Sequence, residues 1–499
     1  MSSTLAPETR ASTPWQVFVV MGAFVALIVG VIVGMTLTGI AVATMLVLIV
    51  VCSRVTAIGW PRLIAVLILV ILFVPIRRYA LPGNLPFQLE LYRIVVAGLV
   101  LAWLASLLVD PRLRLRRTGF EGPLFLILGA ALISIVVNTE RAAAAPDVDK
   151  KLMFFLSFVV VLYLTVGVIR RLDDVDFLAK TLVAGGTLVA LAAVYEARSG
   201  YNVFNHLSTV APIFRDLGDV GGFARVGTAK LRVFGSAEHP IALGAMFVML
   251  IPLSAYLARR YRQRRWYLCA LVLVAACAAT VSRTGILMLV VIGVVFLWLR
   301  PRETARLWPA LLLAPVVIHF ALPGTLGAIK QSFLPAGGLV AEQHASIGHS
   351  GSGRLADLGP ALDVWSEKPL TGQGYGTTLI VNRSIGVPET NILDDQWLTT
   401  LLEIGIVGFV GWLWFFGRAV RRFGAEAKRD PSERGWLLAA ITAAVAAYAF
   451  GMVTFDALAF VQVTFLLFII VGIGASLLAE QPTPRVVEPT QPSRIRQRP

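Results

Sequence analysis

Long apolar runs alternate with short polar segments along almost the whole chain. A helix needs about 20 predominantly apolar residues to cross a bilayer, so this pattern predicts about 14 transmembrane helices, within a range of about 12–14. The sequence therefore predicts an all-α polytopic membrane protein. The predicted spans begin near Trp15, Leu37, Arg62, Leu91, Phe120, Lys151, Phe177, Pro240, Trp266, Thr284, Leu307, Gln396, Trp436 and Leu458.

Two segments between the apolar runs are longer than ordinary connections and are expected to carry function. In the second, leucines and a tryptophan recur at helical spacing within "GRLADLGPALDVWSE", which predicts a short amphipathic helix over the outer end of the bundle. We divide the chain into N-terminal transmembrane helices (1–198), an extracytoplasmic loop (199–239), central transmembrane helices (240–321), a large extracytoplasmic loop (322–395), C-terminal transmembrane helices (396–480) and a disordered cytoplasmic tail (481–499).

Composition agrees with a membrane protein, and the distribution of charge predicts which side of the membrane each loop occupies. Hydrophobic residues make up 57% of the chain, above the roughly 45–50% of soluble domains. The net charge of +15 comes largely from arginines in short segments between apolar runs, such as "DPRLRLRRTG" and "ARRYRQRRW". Short cytoplasmic loops hold this excess, so both termini are expected inside the cell and both long loops outside. The positive charge is thus explained by the membrane orientation of the loops, and we expect no nucleic-acid partner.

Three arginines are expected on the outer side, where the charge rule tends to exclude them. They are Arg232 in "LRVFGSAEHP", Arg283 in "TVSRTG" and Arg354 at the start of the amphipathic helix. A guanidinium fork matches phosphate oxygens two at a time, so three forks together would suit a lipid-linked diphosphate. The alternative interpretation is that each arginine reaches lipid headgroups or pairs with a loop carboxylate.

Two adjacent acids precede the span that begins "QWLTTLLEIGIVG". Asp394 or Asp395 could cap this helix, or one carboxylate could act as a general base toward a sugar hydroxyl. Glu403, two turns further on, is expected to face the bundle interior or to be protonated, because a charge facing lipid is costly.

Weaker candidates for binding are a histidine and a glycine-rich turn. His239 directly precedes Pro240, so it is expected to cap a helix or to contribute to the site. Gly374 lies in "GQGYGT", where successive backbone amides could hold an anion. The sequence contains no phosphate-binding loop of the GxxxxGK[ST] type, and its three cysteines lie inside apolar runs. We therefore predict neither a nucleotide nor a metal cofactor.

Four blocks occur in an order that resembles the bacterial O-antigen ligase and polymerase superfamily: "RVFGSAEHPIALGAMFVMLIPL", "TVSRTGILMLVV", "GRLADLGPALDVWSEKPLTGQGYGT" and "DDQWLTTLLEIGIVG". The resemblance covers roughly Arg232 to Phe423. It implies a glycosyltransferase that moves a glycan from undecaprenyl diphosphate to an acceptor glycan or glycolipid. The reaction would take place among membrane lipids, at the outer face of the bacterial cytoplasmic (inner) membrane.

In the family's ligases the last block begins with histidine, and Asp394 occupies that position here. Arg283 and Arg354 match arginines that the family requires. We predict catalytic roles for Asp394, Arg283 and Arg354 and substrate binding by Arg232, His239, Asp395, Glu403 and Gly374. The change from histidine to aspartate weakens the case for a lipid A ligase, and polymerases and ligases of other surface glycans stay open.

Other classes compete with this interpretation. A flippase or transporter of lipid-linked oligosaccharides would share the spans and the arginines, but it should show structural repeats and a site near the bilayer midplane. A transferase that uses polyprenyl-monophosphate sugars would favour an acidic first outer loop, and "GMTLTG" contains no acid. A structural scaffold explains the spans but not the outer arginines.

Overall fold

The computed structural model describes residues 59–82, 88–109, 113–218, 223–224, 231–306, 308–334, 338, 354–384 and 393–479. The predicted spans near Trp15 and Leu37 and the tail 481–499 lie outside these residues. Every other predicted span coincides with a helix of the structure. The apolar runs therefore located the longer helices of the described residues.

The described helices have the following bounds: α1 Trp60–Phe73, α2 Leu91–Val109, α3 Glu121–Val137, α4 Thr139–Ala144, α5 Val148–Val168, α6 Leu172–Ser199, α7 Leu207–Val210, α8 Pro240–Tyr261, α9 Arg264–Ala279, α10 Arg283–Leu299, α11 Pro301–Ala305, α12 Trp308–Ala321, α13 Thr325–Phe333, α14 Arg354–Glu367, α15 Thr378–Ser384, α16 Gln396–Arg429, α17 Glu433–Gly451 and α18 Val461–Leu478.

Among the described helices, 6 are long and apolar enough to cross a membrane: α5, α6, α8, α16, α17 and α18. A seventh span is possible if α12 and α13, which meet at a bend of 115°, form one broken span. The shorter apolar helices are α1, α3, α10 and the segment Leu91–Leu104 of α2. The protein is thus an all-α multi-pass membrane protein, and the predicted count of about 14 spans is not confirmed.

Helix α8 lies at the centre of the bundle. It packs against α6, α9, α10 and α17, and 89% of its most apolar 18 residues are buried inside the protein. A helix that is apolar all round is typical of such a central position. Helix α18 is similarly enclosed and packs mainly against α5. Within the described part of the chain, α5 and α6 bury 50% of their most apolar 18 residues.

The basic connections gather at one end of the bundle. Arg422 donates to the carbonyl of Thr118 over 3.1 Å, and Arg300 donates to that of Asp430 over 2.6 Å. Asp394 precedes the start of α16, whereas Arg422 lies near the other end of that helix and Arg300 contacts the residue that follows it. The segments that predict the cytoplasmic side therefore lie opposite the acidic motif.

The two long loops contain short elements. The first loop contains the 3₁₀ turn Val203–His206, α7 and two-residue strands, and one of these strands pairs with a strand that lies between α1 and α2. The strands are β1 Tyr79–Ala80, β2 Arg215–Asp216, β3 Phe223–Ala224 and β4 Leu231–Arg232, with β1 antiparallel to β2 and β3 antiparallel to β4.

The amphipathic helix predicted in the second loop forms as α14, which packs against α16. Ala361 is fully buried in a cluster with Leu398 and Leu402, whereas Leu358 and Leu362 are 43% and 37% exposed. The leucine spacing thus predicted the helix correctly, and the residue that packs it onto α16 is the small Ala361.

Candidate functional site

The turn between α9 and α10 positions Arg283. Arg283 is the first residue of α10 and is buried, and the hydroxyl of Ser282 caps the helix by accepting from the amide of Gly285 over 3.3 Å. Val281 has a φ of 47°, a left-handed conformation that is costly for a β-branched residue. The surrounding packing therefore holds this turn in one conformation and fixes the start of α10.

Arg232 contacts the same turn. Its Nε donates to the carbonyl oxygen of Thr280 over 3.1 Å, three residues before Arg283. Two of the arginines predicted to bind phosphate are therefore brought to one turn, although they are far apart in the sequence.

His239 caps the central helix α8. Its Nδ1 accepts from the amide of Ile241 over 3.2 Å, and its ring stacks on Phe460 with the ring centroids 5.8 Å apart. Burial and the positive charge of Arg232 lower the pKa of His239 to about 3. The neutral imidazole can therefore accept the capping hydrogen bond throughout the physiological range.

The two acids before α16 have different roles. Asp395 is the N-cap, and its Oδ1 accepts from the amides of Trp397 over 2.9 Å and Leu398 over 3.1 Å. Asp394, one residue earlier, is half-buried. Since Asp395 supplies the cap, Asp394 is the stronger candidate for chemistry.

The connection between α17 and α18 joins this acidic motif to the Arg283 turn. The amide of Gln396 donates to the carbonyl of Met452 over 2.8 Å, and the side-chain oxygen of Gln396 accepts from the amide of Leu458 over 2.8 Å. Within the same connection, the hydroxyl of Thr454 donates to that of Thr284 over 2.9 Å. The start of α16 and the start of α10 are thus held on either side of one loop.

Asp456, in the middle of this loop, is a buried acid that sequence analysis missed. Burial raises its pKa to about 7. The charges of Lys151 and Arg77 oppose this rise, whereas those of Glu403 and Asp394 add to it. A carboxyl that changes charge near neutral pH therefore lies within electrostatic reach of Asp394. Its one signal in the sequence is an acid between two apolar runs, in "GMVTFDALAF".

Glu403 faces the bundle interior, as expected, but protein groups occupy its carboxylate. Its Oε1 accepts from Lys151 Nζ over 2.7 Å and also from the hydroxyl of Thr378. Lys151 in turn donates to Thr378 Oγ1 over 2.6 Å. Helices α5, α15 and α16 therefore meet in one polar contact. Substrate binding by Glu403 would require this contact to open.

A break in α16 lies two residues beyond Glu403. Gly405 has φ 63° and ψ −168°, values outside the helical region. The carbonyls freed there accept from the glycine-rich turn: Gln373 N donates to Leu402 O over 2.7 Å, and Gly374 N donates to Glu403 O over 3.3 Å. The amide of Gly374, which was predicted to help hold an anion, donates to α16 in this structure, and anion binding by the turn stays a prediction.

The predicted arginine Arg354 begins α14, next to α16, and its side chain lies outside the described residues. Of the other predicted site residues, the structure brings Arg232, Arg283, His239 and Asp394 to one end of the bundle. In the part of the chain that the structure describes, no three His, Cys, Asp or Glu side chains are arranged to hold a metal ion.

The N-terminal half contributes residues to this end that the sequence analysis did not select. Arg77 forms an ion pair with Glu238 over 3.1 Å and donates to the carbonyl of Ala459 over 3.1 Å. Its backbone amide donates to Glu90 over 2.8 Å. Together with Lys151, Arg77 shows that the charged end is built from both halves of the chain.

Comparison with known proteins agrees with the resemblance found in the sequence. No curated protein matches the chain in a sequence search. Residues 268–413 match the family described as O-antigen ligase, a segment that begins in α9 and ends within α16. It includes the Arg283 turn, α14, the break at Gly405 and both acids before α16. This segment of the chain is therefore similar to the O-antigen ligase family, in agreement with the resemblance seen in the sequence.

Proposed function

We propose that the protein is a membrane glycosyltransferase of surface polysaccharide assembly. It would transfer or polymerise a glycan from an undecaprenyl-diphosphate-linked donor onto an acceptor glycan at the outer face of the cytoplasmic membrane. One observation carries the proposal: the turn that holds Arg232 and Arg283 and the acidic start of α16 are bonded to either side of the 452–460 loop. This arrangement suits a reaction in which phosphate charge and a proton acceptor act together.

The arginines would bind the donor. Arg283, assisted by Arg232, holds the diphosphate and stabilises the negative charge that builds on it as the glycosidic bond breaks. We assign Arg354 the same task, since it begins the helix that packs beside α16.

Asp394 would act on the acceptor. Its carboxylate takes the proton of the attacking hydroxyl, whose oxygen bonds to the anomeric carbon. The bond from that carbon to the diphosphate breaks, and its electron pair leaves with the lipid diphosphate. A single displacement of this kind inverts the configuration of the anomeric carbon. Support for Asp394 over its neighbour comes from the capping role of Asp395.

The orientation follows from the two ends of the bundle. The basic connections, which contain Arg300 and Arg422, gather at the end opposite Asp394. Because short cytoplasmic loops hold the excess of arginine, we propose that the site faces the outside, where lipid-linked glycans are assembled.

Deletion of the gene, followed by sizing of the surface glycans, tests this function. Loss of long chains with single repeat units retained would indicate a polymerase. Accumulation of the full-length polymer on its lipid carrier would indicate a ligase. An unchanged glycan profile would count against both activities.

Transfer in reconstituted vesicles tests the role of Asp394. We expect Asp394→Asn and Asp394→Ala to lose at least about 100-fold in rate, the lower range for a general base. Asp363→Asn is the matched control, because Asp363 is an exposed acid on α14 at the same end of the bundle. Full activity of Asp394→Asn would exclude the role as base, and full activity of Asp394→Ala would also exclude a role in positioning the acceptor.

A further inference from the structure

Lys151 lies outside the matched segment 268–413, yet its ammonium group reaches the acidic end of the site. It contacts Glu403 over 2.7 Å and Thr378 over 2.6 Å. The side chain of Glu403 is only 6% exposed and that of Lys151 is 26% exposed, so water screens this pair weakly. Lys151 therefore connects α5 to the part of α16 just before the break.

The same ammonium group also acts on the loop that carries Asp456. Asp456 faces Lys151 and Arg77 as positive neighbours and Glu403 and Asp394 as negative ones. Among these neighbours, the charge of Lys151 does most to lower the pKa of Asp456, whose rise to about 7 is caused mainly by burial. Removal of Lys151 would leave the acids with less opposing charge.

We propose that Lys151 is a positioning residue of the transfer site, which holds Glu403 beside the break in α16 and offsets the negative charge shared by Asp394 and Asp456. This inference rests on the proposed function. Lys151 would act on the reaction through Glu403 and Asp456, without contact to either substrate.

A purely structural ion pair makes a different prediction. Removing one partner of a buried pair leaves an uncompensated charge, whereas removing both removes that penalty. If the pair only stabilised the fold, the double variant Lys151→Met with Glu403→Gln would regain both its stability and its transfer rate. A positioning role predicts that stability returns while transfer stays slow, because the contact that holds α5 against α16 beside the break is still missing.

The experiment measures transfer by the full-length protein in vesicles that contain an undecaprenyl-diphosphate-linked glycan and its acceptor. Lys150→Met is the matched control, since Lys150 is the neighbouring residue and its half-exposed side chain pairs with Asp147 over 3.4 Å. We expect Lys150→Met to match the wild type. We expect Lys151→Met to lower kcat by at least about tenfold, with a smaller change in the donor KM, and the double variant to recover its unfolding midpoint but not its kcat.

The dependence of kcat on pH distinguishes the two roles, because loss of a purely structural ion pair would not shift it. Without the ammonium group of Lys151, Asp456 keeps its proton to higher pH. Because the charges of Asp456 and Asp394 interact, the acidic limb of the kcat profile should shift to higher pH in Lys151→Met. Lys151→Arg retains a cation and should keep the limb in place.

Recovery of kcat by the double variant, or an unshifted limb in Lys151→Met, would overturn the role of Lys151 and leave the proposed function intact. An inactive wild type together with inactive Lys150→Met would overturn the proposed function and this inference with it.

Discussion

Replacement of Gly405 by alanine tests the break in α16. At φ 63° and ψ −168°, Gly405 has a backbone conformation that is essentially restricted to glycine. An added Cβ would lie 2.3 Å from the carbonyl oxygen of Leu370. That atom belongs to the main chain of the neighbouring turn, so no side-chain rotation can relieve the contact.

Two costs add in the Gly405→Ala variant. An unfavourable backbone conformation costs about 1–3 kcal/mol, and overpacking costs about 1–3 kcal/mol more. We therefore expect a loss of about 2–6 kcal/mol in the free energy of unfolding. Transfer should fall as well, because Glu403 and its contact with Lys151 lie two residues before the break.

Denaturant unfolding of the purified protein in detergent micelles measures this loss. Gly417→Ala is the matched control: Gly417 lies in the same helix, and a Cβ there would meet no atom within 4 Å. That substitution should stabilise the helix by about 0.5–1 kcal/mol. If Gly405→Ala were as stable as Gly417→Ala, α16 would be continuous at Gly405 and the reasoning would be refuted.

Three further predictions concern the charged end of the bundle. Asp395→Ala should cost about 1 kcal/mol of stability through loss of the cap, whereas Asp394→Ala should cost less stability and more transfer; unfolding and transfer assays on the same preparations compare the two. His239→Ala should leave the shape of the activity profile between about pH 5 and 8 unchanged, because the pKa of His239 is lowered to about 3, and a lost inflection in that range would contradict this. The pKa of Asp456 rises from 3.8 to about 7 on folding, so the folded protein holds a proton that the unfolded chain releases, and stability should fall as pH rises through this window. Asp456→Asn should show a smaller fall in unfolding titrations, and an equal fall in both proteins would refute the assignment.

The helices and the motif blocks could be read from the sequence because both are local. An apolar run of about 20 residues specifies a span wherever it occurs, and the cap at Asp395 depends only on the amides that follow it. The same local reasoning proposed capping for His239, where the structure has it.

Contacts between distant segments could not be read in this way. Lys151 and Glu403 are 252 positions apart, and no local pattern pairs a lysine at the start of one span with an acid inside another. The buried face of α14 depends on how closely α16 approaches Ala361, which is a property of the packed bundle. For the same reason the sequence did not identify Gly405 as the break, since the break is fixed by the backbone of the 368–376 turn.

The break in α16 also bears on the order in which the protein can be made. Around Gly405 the helix completes its main-chain hydrogen bonds with another segment: Gln373 donates to Leu402 O, and Pro369 O accepts from Ile406 N. Unsatisfied backbone groups are costly in lipid, so α16 can settle in the membrane only with this turn beside it. Since the turn precedes α16 in the chain, the ribosome delivers it first. During synthesis, the turn that completes the hydrogen bonds of α16 is thus present before α16 itself.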